Sequence, residues 1–169
     1  NISADLMLGL PEQSEKTAQK SITELSQLPI NHVSAYLLKI EENTPFGQMN
    51  IAVPEDEQMD EIYLFACEEL EKNGFSQYEI SNFAKSGYEC KHNLKYWRCE
   101  EYVGIGSAAH SYYKGHRFCV ERDICDFIAS DIQKTVITDE TAGDFDEYAM
   151  LKLRLSEGLT FAECESFGV

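Results

Sequence analysis

The sequence predicts an α/β protein: parallel strands alternating with helices, followed by a more helical C-terminal part. Three observations carry this reading. Short apolar runs bounded by turn residues recur at Ile2–Leu10, His32–Leu38 and Phe75–Ile80. Between them lie two longer segments whose apolar residues return at three- and four-residue steps, the period of a helix face. Their order is strand–helix–strand–helix–strand, which implies parallel pairing through right-handed crossovers. Three such strands do not close a (β/α) barrel, which takes about 250 residues. The chain has 169 residues and opens on Asn1 rather than Met, directly beside an apolar segment. It therefore reads as the later portion of a barrel within a longer protein.

Ile2–Leu10 is almost continuously apolar, as expected of a strand buried on both faces, and Gly9 and Pro11 end it. From Ser14 to Leu28, Ala18, Ile22, Leu25 and Leu28 mark one apolar helix face. After Pro29 the stretch His32–Leu38 reads as a second strand, and EENTPFGQMN (41–50) as a loop of turn residues. Pro54-Glu55-Asp56 starts a second helix with acids in its first turn, where the helix dipole favours them. Met59, Ile62, Tyr63, Ala66 and Leu70 share one side of it, and Asn73-Gly74 is a suitable end. Phe75–Ile80 follows as the third strand. From Ser81 to Tyr113 the text turns to Asn, Gly, His and aromatics with little periodicity, the composition of loops that carry function. Beyond it, Asp123–Gln133 and Phe145–Glu157 read as helices, the second closed by Gly158. A boundary is placed at 120/121, giving a barrel portion at 1–120 and the start of a helical domain at 121–169.

Charge narrows the function. Fourteen Lys and Arg stand against 30 Asp and Glu, a formal charge of −16. Such a surface repels polyanions, which argues against nucleic acid or an anionic membrane as the main partner. No apolar run approaches the roughly 20 residues of a membrane span, and no signal-peptide pattern opens the chain. The expected location is cytoplasmic, with reduced thiols. Six cysteines (Cys67, Cys90, Cys99, Cys119, Cys125 and Cys164) include no CxxC and no CxxxCxxC. A zinc or iron–sulfur nest encoded by this chain alone is not expected.

Several residues are candidates for chemistry. Asp5 is a carboxylate inside an apolar strand; burying it unpaired is costly. It is expected near the strand's C-terminal end, where parallel sheets bind ligands, or bonded to backbone amides of the next turn. HNLKYW (His92–Trp97) is the most informative stretch. In a helix, His92 and Tyr96 share a face with Trp97 beside them. An imidazole among large rings suits a metal and a flat conjugated ligand such as haem, and Cys90 is a second possible axial ligand. The alternative is that Tyr96 and Trp97 anchor a core and His92 is a surface residue. Gly104-Ile105-Gly106 followed by Ser107-Ala108-Ala109-His110 lets the backbone approach a ligand or, equally, packs a tight turn.

Together, DLMLGLP (Asp5–Pro11), YEISNFA (Tyr78–Ala84), HNLKYW and GIGSAAHSY (Gly104–Tyr112) are more specific than any one alone. In order and spacing they resemble the C-terminal part of the HemW/HemN family, radical-SAM proteins that include haem chaperones and oxygen-independent coproporphyrinogen III oxidases. The resemblance runs from Ile2 to the MLKLRLSEGL stretch (Met150–Leu159). It implies a partial radical-SAM barrel, its last strands only, followed by an α-rich domain. His92, Asn93, Tyr96 and Trp97 match the family's HNxxYW haem signature, with His92 as the residue linked to the haem iron. Asp5 resembles the strand aspartate that contacts S-adenosylmethionine. Glu79, Ser81 and Asn82 match a family motif without separate roles. The family's CxxxCxxC loop for a [4Fe–4S] cluster is absent here, as is its glycine-rich loop for S-adenosylmethionine, so the resemblance implies that cluster, cofactor and any enzymatic activity belong to the full-length protein. GIGSAAHS also departs from the family's GxGAGAHS, and Val120 stands where an Asn is usual. The function implied is capture of haem and its transfer to acceptor haem proteins; the alternative is coproporphyrinogen III oxidation.

Overall fold

In the computed structural model, β1 (Ser3–Leu8) and β2 (His32–Leu37) pair in parallel, with Ser3 opposite His32 and Leu8 opposite Leu37. The structure describes residues 1–49, 51–132 and 134–169. These form two compact units, Asn1–Cys90 and Lys91–Val169.

In the first unit the crossover from β1 to β2 is α1 (Glu15–Ser26). Ser14 starts it with a reciprocal cap: its hydroxyl accepts the Thr17 N–H, and the Thr17 hydroxyl accepts the Ser14 N–H. This satisfies two donors that a helix start otherwise leaves open. The helix ends at Ser26, so Leu28 lies beyond its apolar face and is exposed. After the loop, of which Asn50 lies outside the described residues, comes α2 (Asp56–Lys72). Ala18 and Ile22 of α1 and Ile62, Ala66 and Leu70 of α2 are buried with Leu8, Val33, Ala35, Phe75 and Phe83 in one core. Each large apolar side chain buried there contributes roughly 1.5–3 kcal/mol.

Two expectations change. The first strand is not buried on both faces. Ser3, Asp5 and Met7 are exposed while Ala4, Leu6 and Leu8 face inward; β1 lies at the edge of the sheet, whereas on β2 His32 and Ser34, on the same face as Ser3 and Asp5, are buried. The sheet is also not purely parallel. β3 (Ser76–Glu79) is followed at once by β4 (Asn82–Ala84), which lies between β3 and β2 and runs antiparallel to both. A connection of two residues, Ile80-Ser81, permits only an antiparallel return. Phe83 on β4, opposite Val33, supplies the core side chain.

The second unit begins with α3 (Lys91–Trp97) and contains an antiparallel sheet, β5 (His110–Tyr113), β6 (His116–Val120) and β7 (Thr135–Asp139), in that order. The β5–β6 turn is Lys114-Gly115, with φ of 52° and 75°. Two successive left-handed residues are what a two-residue hairpin turn requires. The helix expected at Asp123–Gln133 is shorter: Asp123 caps α4 (Ile124–Ala129), and Gln133 lies outside the described residues. α5 spans Phe145–Lys152, not 145–157. Past it, bonds from Arg154 to Leu151, Leu155 to Lys152 and Gly158 to Leu155 replace the helical ladder with tight turns. α6 (Phe161–Phe167) follows. No helix among the described residues is long and apolar enough to cross a membrane.

Candidate functional site

HNLKYW forms all but the first residue of α3, so His92 and Tyr96 stand one turn apart on the same face. His92 Nε2 lies 2.9 Å from Tyr96 Oη, and the two rings meet edge to face at 5.0 Å and 87°. On its other side Tyr96 meets the Tyr102 ring at 4.6 Å and 73°. His92 is exposed, whereas Asn93, Tyr96 and Trp97 are half-buried. No hydrogen bond holds His92 Nδ1 or the Asn93 amide among the described residues.

Trp97 is the anchor of this helix rather than an open platform. The Arg154 guanidinium covers its ring at 4.3 Å, a cation–π contact. Its indole N–H is buried with no hydrogen-bond partner among the described residues. Next in the chain, Arg98 grips Glu157 in a two-pronged pair, Nε–Oε1 at 3.1 Å and Nη2–Oε2 at 3.0 Å. Hydrogen bonding to Arg98 holds the Glu157 carboxyl below its ordinary range. Glu157 also receives the Lys152 ammonium at 2.5 Å, and Lys152 reaches Glu163 at 3.2 Å. Burial pulls the Lys152 pKa down, but the two carboxylates outweigh it and the net shift is upward. The Tyr148 hydroxyl donates to Glu163 at 2.7 Å; that bond leads in lowering Glu163 to about 2, while burial leads in raising Tyr148 to about 12. The His92 face is thus presented by a helix tied down on its opposite side.

Asp5 sits at the middle of β1, not at its C-terminal end, and is exposed. Its carboxylate has no hydrogen-bond or ion-pair partner among the described residues. The amides of the following turn, Gly9 and Leu10, are bound instead by Gln13 Oε1 at 2.7 and 3.3 Å. The alternative of an aspartate spent on that turn is excluded. Asp5 pairs in register with Ser34, and Ser34 with Asn82, so this polar row crosses the sheet on the side away from the helices.

Sequence reasoning missed the roles of His32 and Tyr78. His32 is 5% exposed, with Nδ1 2.8 Å from Ser3 Oγ and Nε2 2.8 Å from Tyr78 Oη. Beside them Glu79, 2% exposed, accepts the Ser81 N–H at 2.9 Å and the Asn82 amide. The available signal was polar residues at alternate positions of otherwise apolar strands, His32 and Ser34 in one and Glu79 in another. Among the remaining candidates, Cys90 closes the first unit as a half-buried free thiol, and His110 is exposed on β5. In the glycine stretch, a side chain at Gly104 would collide with the backbone carbonyl of His110. The close approach there is of the chain to itself. No three His, Cys, Asp or Glu side chains converge as a metal site among the described residues. A lone imidazole therefore suits only a metal that brings other ligands with it.

No family model matches the chain. The fold is similar to part of coproporphyrinogen III oxidase (HemN) from Escherichia coli, described as a radical-SAM enzyme. The TM-score is 0.72 at 14% identity, over 99% of this chain and 43% of that one. The sequence relatives are more specific. The chain is 45% identical over 121 residues to heme chaperone HemW of Bacillus subtilis, covering 69% of this chain and 32% of the relative. It is 36% identical over 177 residues to heme chaperone HemW of Synechocystis, covering 98% and 43%. A mitochondrial radical S-adenosyl methionine domain-containing protein 1 of Danio rerio is 40% identical over 119 residues, covering 68% and 27%. The chain belongs to the HemW family. It spans less than half the length of these relatives.

Proposed function

We propose that this chain is part of a haem chaperone that takes up haem at α3 and passes it to acceptor haem proteins in the cytoplasm. The observation that carries this is His92: an exposed imidazole on an anchored helix, beside half-buried Asn93, Tyr96 and Trp97. The porphyrin supplies four in-plane nitrogens, so the iron needs from the protein only an axial ligand, and His92 is that ligand in this reading. Asn93 adds amide donors for the haem periphery. Trp97 supports the helix from beneath, since Arg154 already covers one face of its ring.

Asp5, exposed on the edge strand β1, is proposed to contact S-adenosylmethionine in the whole protein. The [4Fe–4S] cluster is proposed to belong, like S-adenosylmethionine, to the full-length protein, since the sequence of this chain contains no CxxxCxxC. The barrel portion is proposed to run over 1–120 and the helical domain to start at 121, while the two compact units divide after Cys90. The test is a haem titration of the whole protein followed by absorbance. His92→Ala is expected to weaken binding at least tenfold; an unchanged titration rejects His92 as the ligand. Coproporphyrinogen III oxidation, which rests on the likeness of fold alone, requires turnover of coproporphyrinogen III by the reconstituted protein under anaerobic conditions.

A further inference from the structure

The His92–Tyr96 contact bears on how haem is released, an inference that rests on the haem reading above. A neutral imidazole has one N–H and one lone pair. Ligation of iron through Nε2 needs the tautomer whose proton is on Nδ1, and in that tautomer the Tyr96 hydroxyl, 2.9 Å away, is the donor that occupies the Nε2 lone pair. The ligating atom is then covered. Nδ1, although unbonded, is the poorer ligand for a macrocycle. It is attached next to Cβ, so a flat porphyrin on it would run into the helix that carries the residue, whereas Nε2 projects farthest from the backbone. Tyr96 is not free to turn away at no cost, because its ring is packed edge-on against Tyr102 as well as His92.

We infer that Tyr96 acts as a displaceable cap on His92 Nε2: haem must break the 2.9 Å contact to bind, and the returning phenol helps expel it. Tyr96 is then a positioning residue that lowers affinity, which suits a protein whose task is to hand its cargo on. No proton is lost or gained in the exchange, since the imidazole keeps its Nδ1–H and the phenol keeps its own.

The experiment uses haemin with the whole protein, comparing the parent with Tyr96→Phe and His92→Ala. Phe keeps the ring contacts to His92 and Tyr102 and removes only the hydroxyl. The net value of such a hydrogen bond corresponds to roughly a two- to tenfold change in an equilibrium constant. Tyr96→Phe is therefore expected to tighten haem binding two- to tenfold and to slow haem transfer to apomyoglobin by a similar factor. A merely structural role for Tyr96 gives the opposite sign, so weaker or unchanged binding in Tyr96→Phe overturns the cap. If His92→Ala binds haem as well as the parent, the assignment of His92 fails and the cap fails with it. If His92→Ala loses binding while Tyr96→Phe does not tighten it, the cap alone fails.

Discussion

Tyr78 Oη lies 2.8 Å from His32 Nε2 and also accepts the Cys90 N–H at 3.2 Å, so one buried hydroxyl ties β2 to the end of the first unit. His32 Nδ1 lies 2.8 Å from Ser3 Oγ, so both ring nitrogens have a hydroxyl partner. The ring is neutral in this chain of bonds. Burial is the main reason that the His32 pKa is lowered, against the opposing pull of Asp5 and Glu79, and burial also raises Tyr78 to about 12.

A pH dependence follows. Because the folded His32 binds its proton less readily than the unfolded one, the unfolded chain takes up the extra proton. The stabilising effect is complete above the ordinary histidine value of about 6.5 and is lost as pH falls from there through the lowered folded value. Urea midpoints measured at pH 7.5 and 5.5 should show the drop, and His32→Gln, whose amide does not titrate, should reduce it. Equal slopes in parent and variant would remove His32 as the source.

Tyr78→Phe isolates the other end of the chain. It leaves the buried His32 Nε2 and the Cys90 N–H without their partner, each an uncompensated polar group. The expected loss is about 1–3 kcal/mol in equilibrium denaturation.

Glu79 makes the same kind of argument at the β3–β4 turn. Its carboxylate accepts the Ser81 N–H and the Asn82 amide from a site 2% exposed to solvent. Glu79→Ala strands both donors and should cost about 2–4 kcal/mol, whereas Glu79→Gln, which keeps an acceptor oxygen, should cost less. Similar losses for the two variants would mean that the charge, not the acceptor, matters here.

What the sequence made legible follows from the reach of each signal. β1, α1, β2 and α2 were readable because a core of Leu8, Ile22, Val33 and Ile62 stamps its period on the text. β4 was not, because three residues, Asn82-Phe83-Ala84, are too few to show a period, and their pairing depends on β2, some 50 residues earlier. The second sheet left a weaker mark, Lys114-Gly115 between two runs of ring-bearing and branched residues, inside a stretch read as loop. At the site, helical spacing put His92 and Tyr96 together, while the Arg154 cover on Trp97 was invisible because it comes from 57 residues away. Asp5 was read as a charge too costly to bury unpaired and so placed at the strand's C-terminal end or on the next turn; it lies instead at mid-strand, exposed on the edge strand.

Lys152 gives a test of the support beneath α3. Its buried ammonium bridges Glu157 and Glu163, and Glu157 in turn holds Arg98 at the end of α3. Lys152→Met leaves two carboxylates near one another with less compensation. The loss is expected to be about 1–2 kcal/mol, below the figure for fully buried pairs because Glu157 remains near half exposed. A neutral or stabilising result would show that apolar packing replaces the ion pairs without penalty.

Trp97 provides a direct optical report on where haem binds. It is the only tryptophan in the chain, and it lies five residues from His92 on a seven-residue helix, which at 1.5 Å rise per residue puts the two Cα atoms within about 8 Å along the axis. Haem absorbs where tryptophan emits, so energy transfer over such a distance extinguishes the indole emission. Haemin added to the 169-residue chain should therefore quench tryptophan fluorescence almost fully, with the same midpoint as the absorbance titration. His92→Ala should move both midpoints together. Haem bound at a site remote from α3 would separate them, giving an absorbance change while a substantial part of the emission persists.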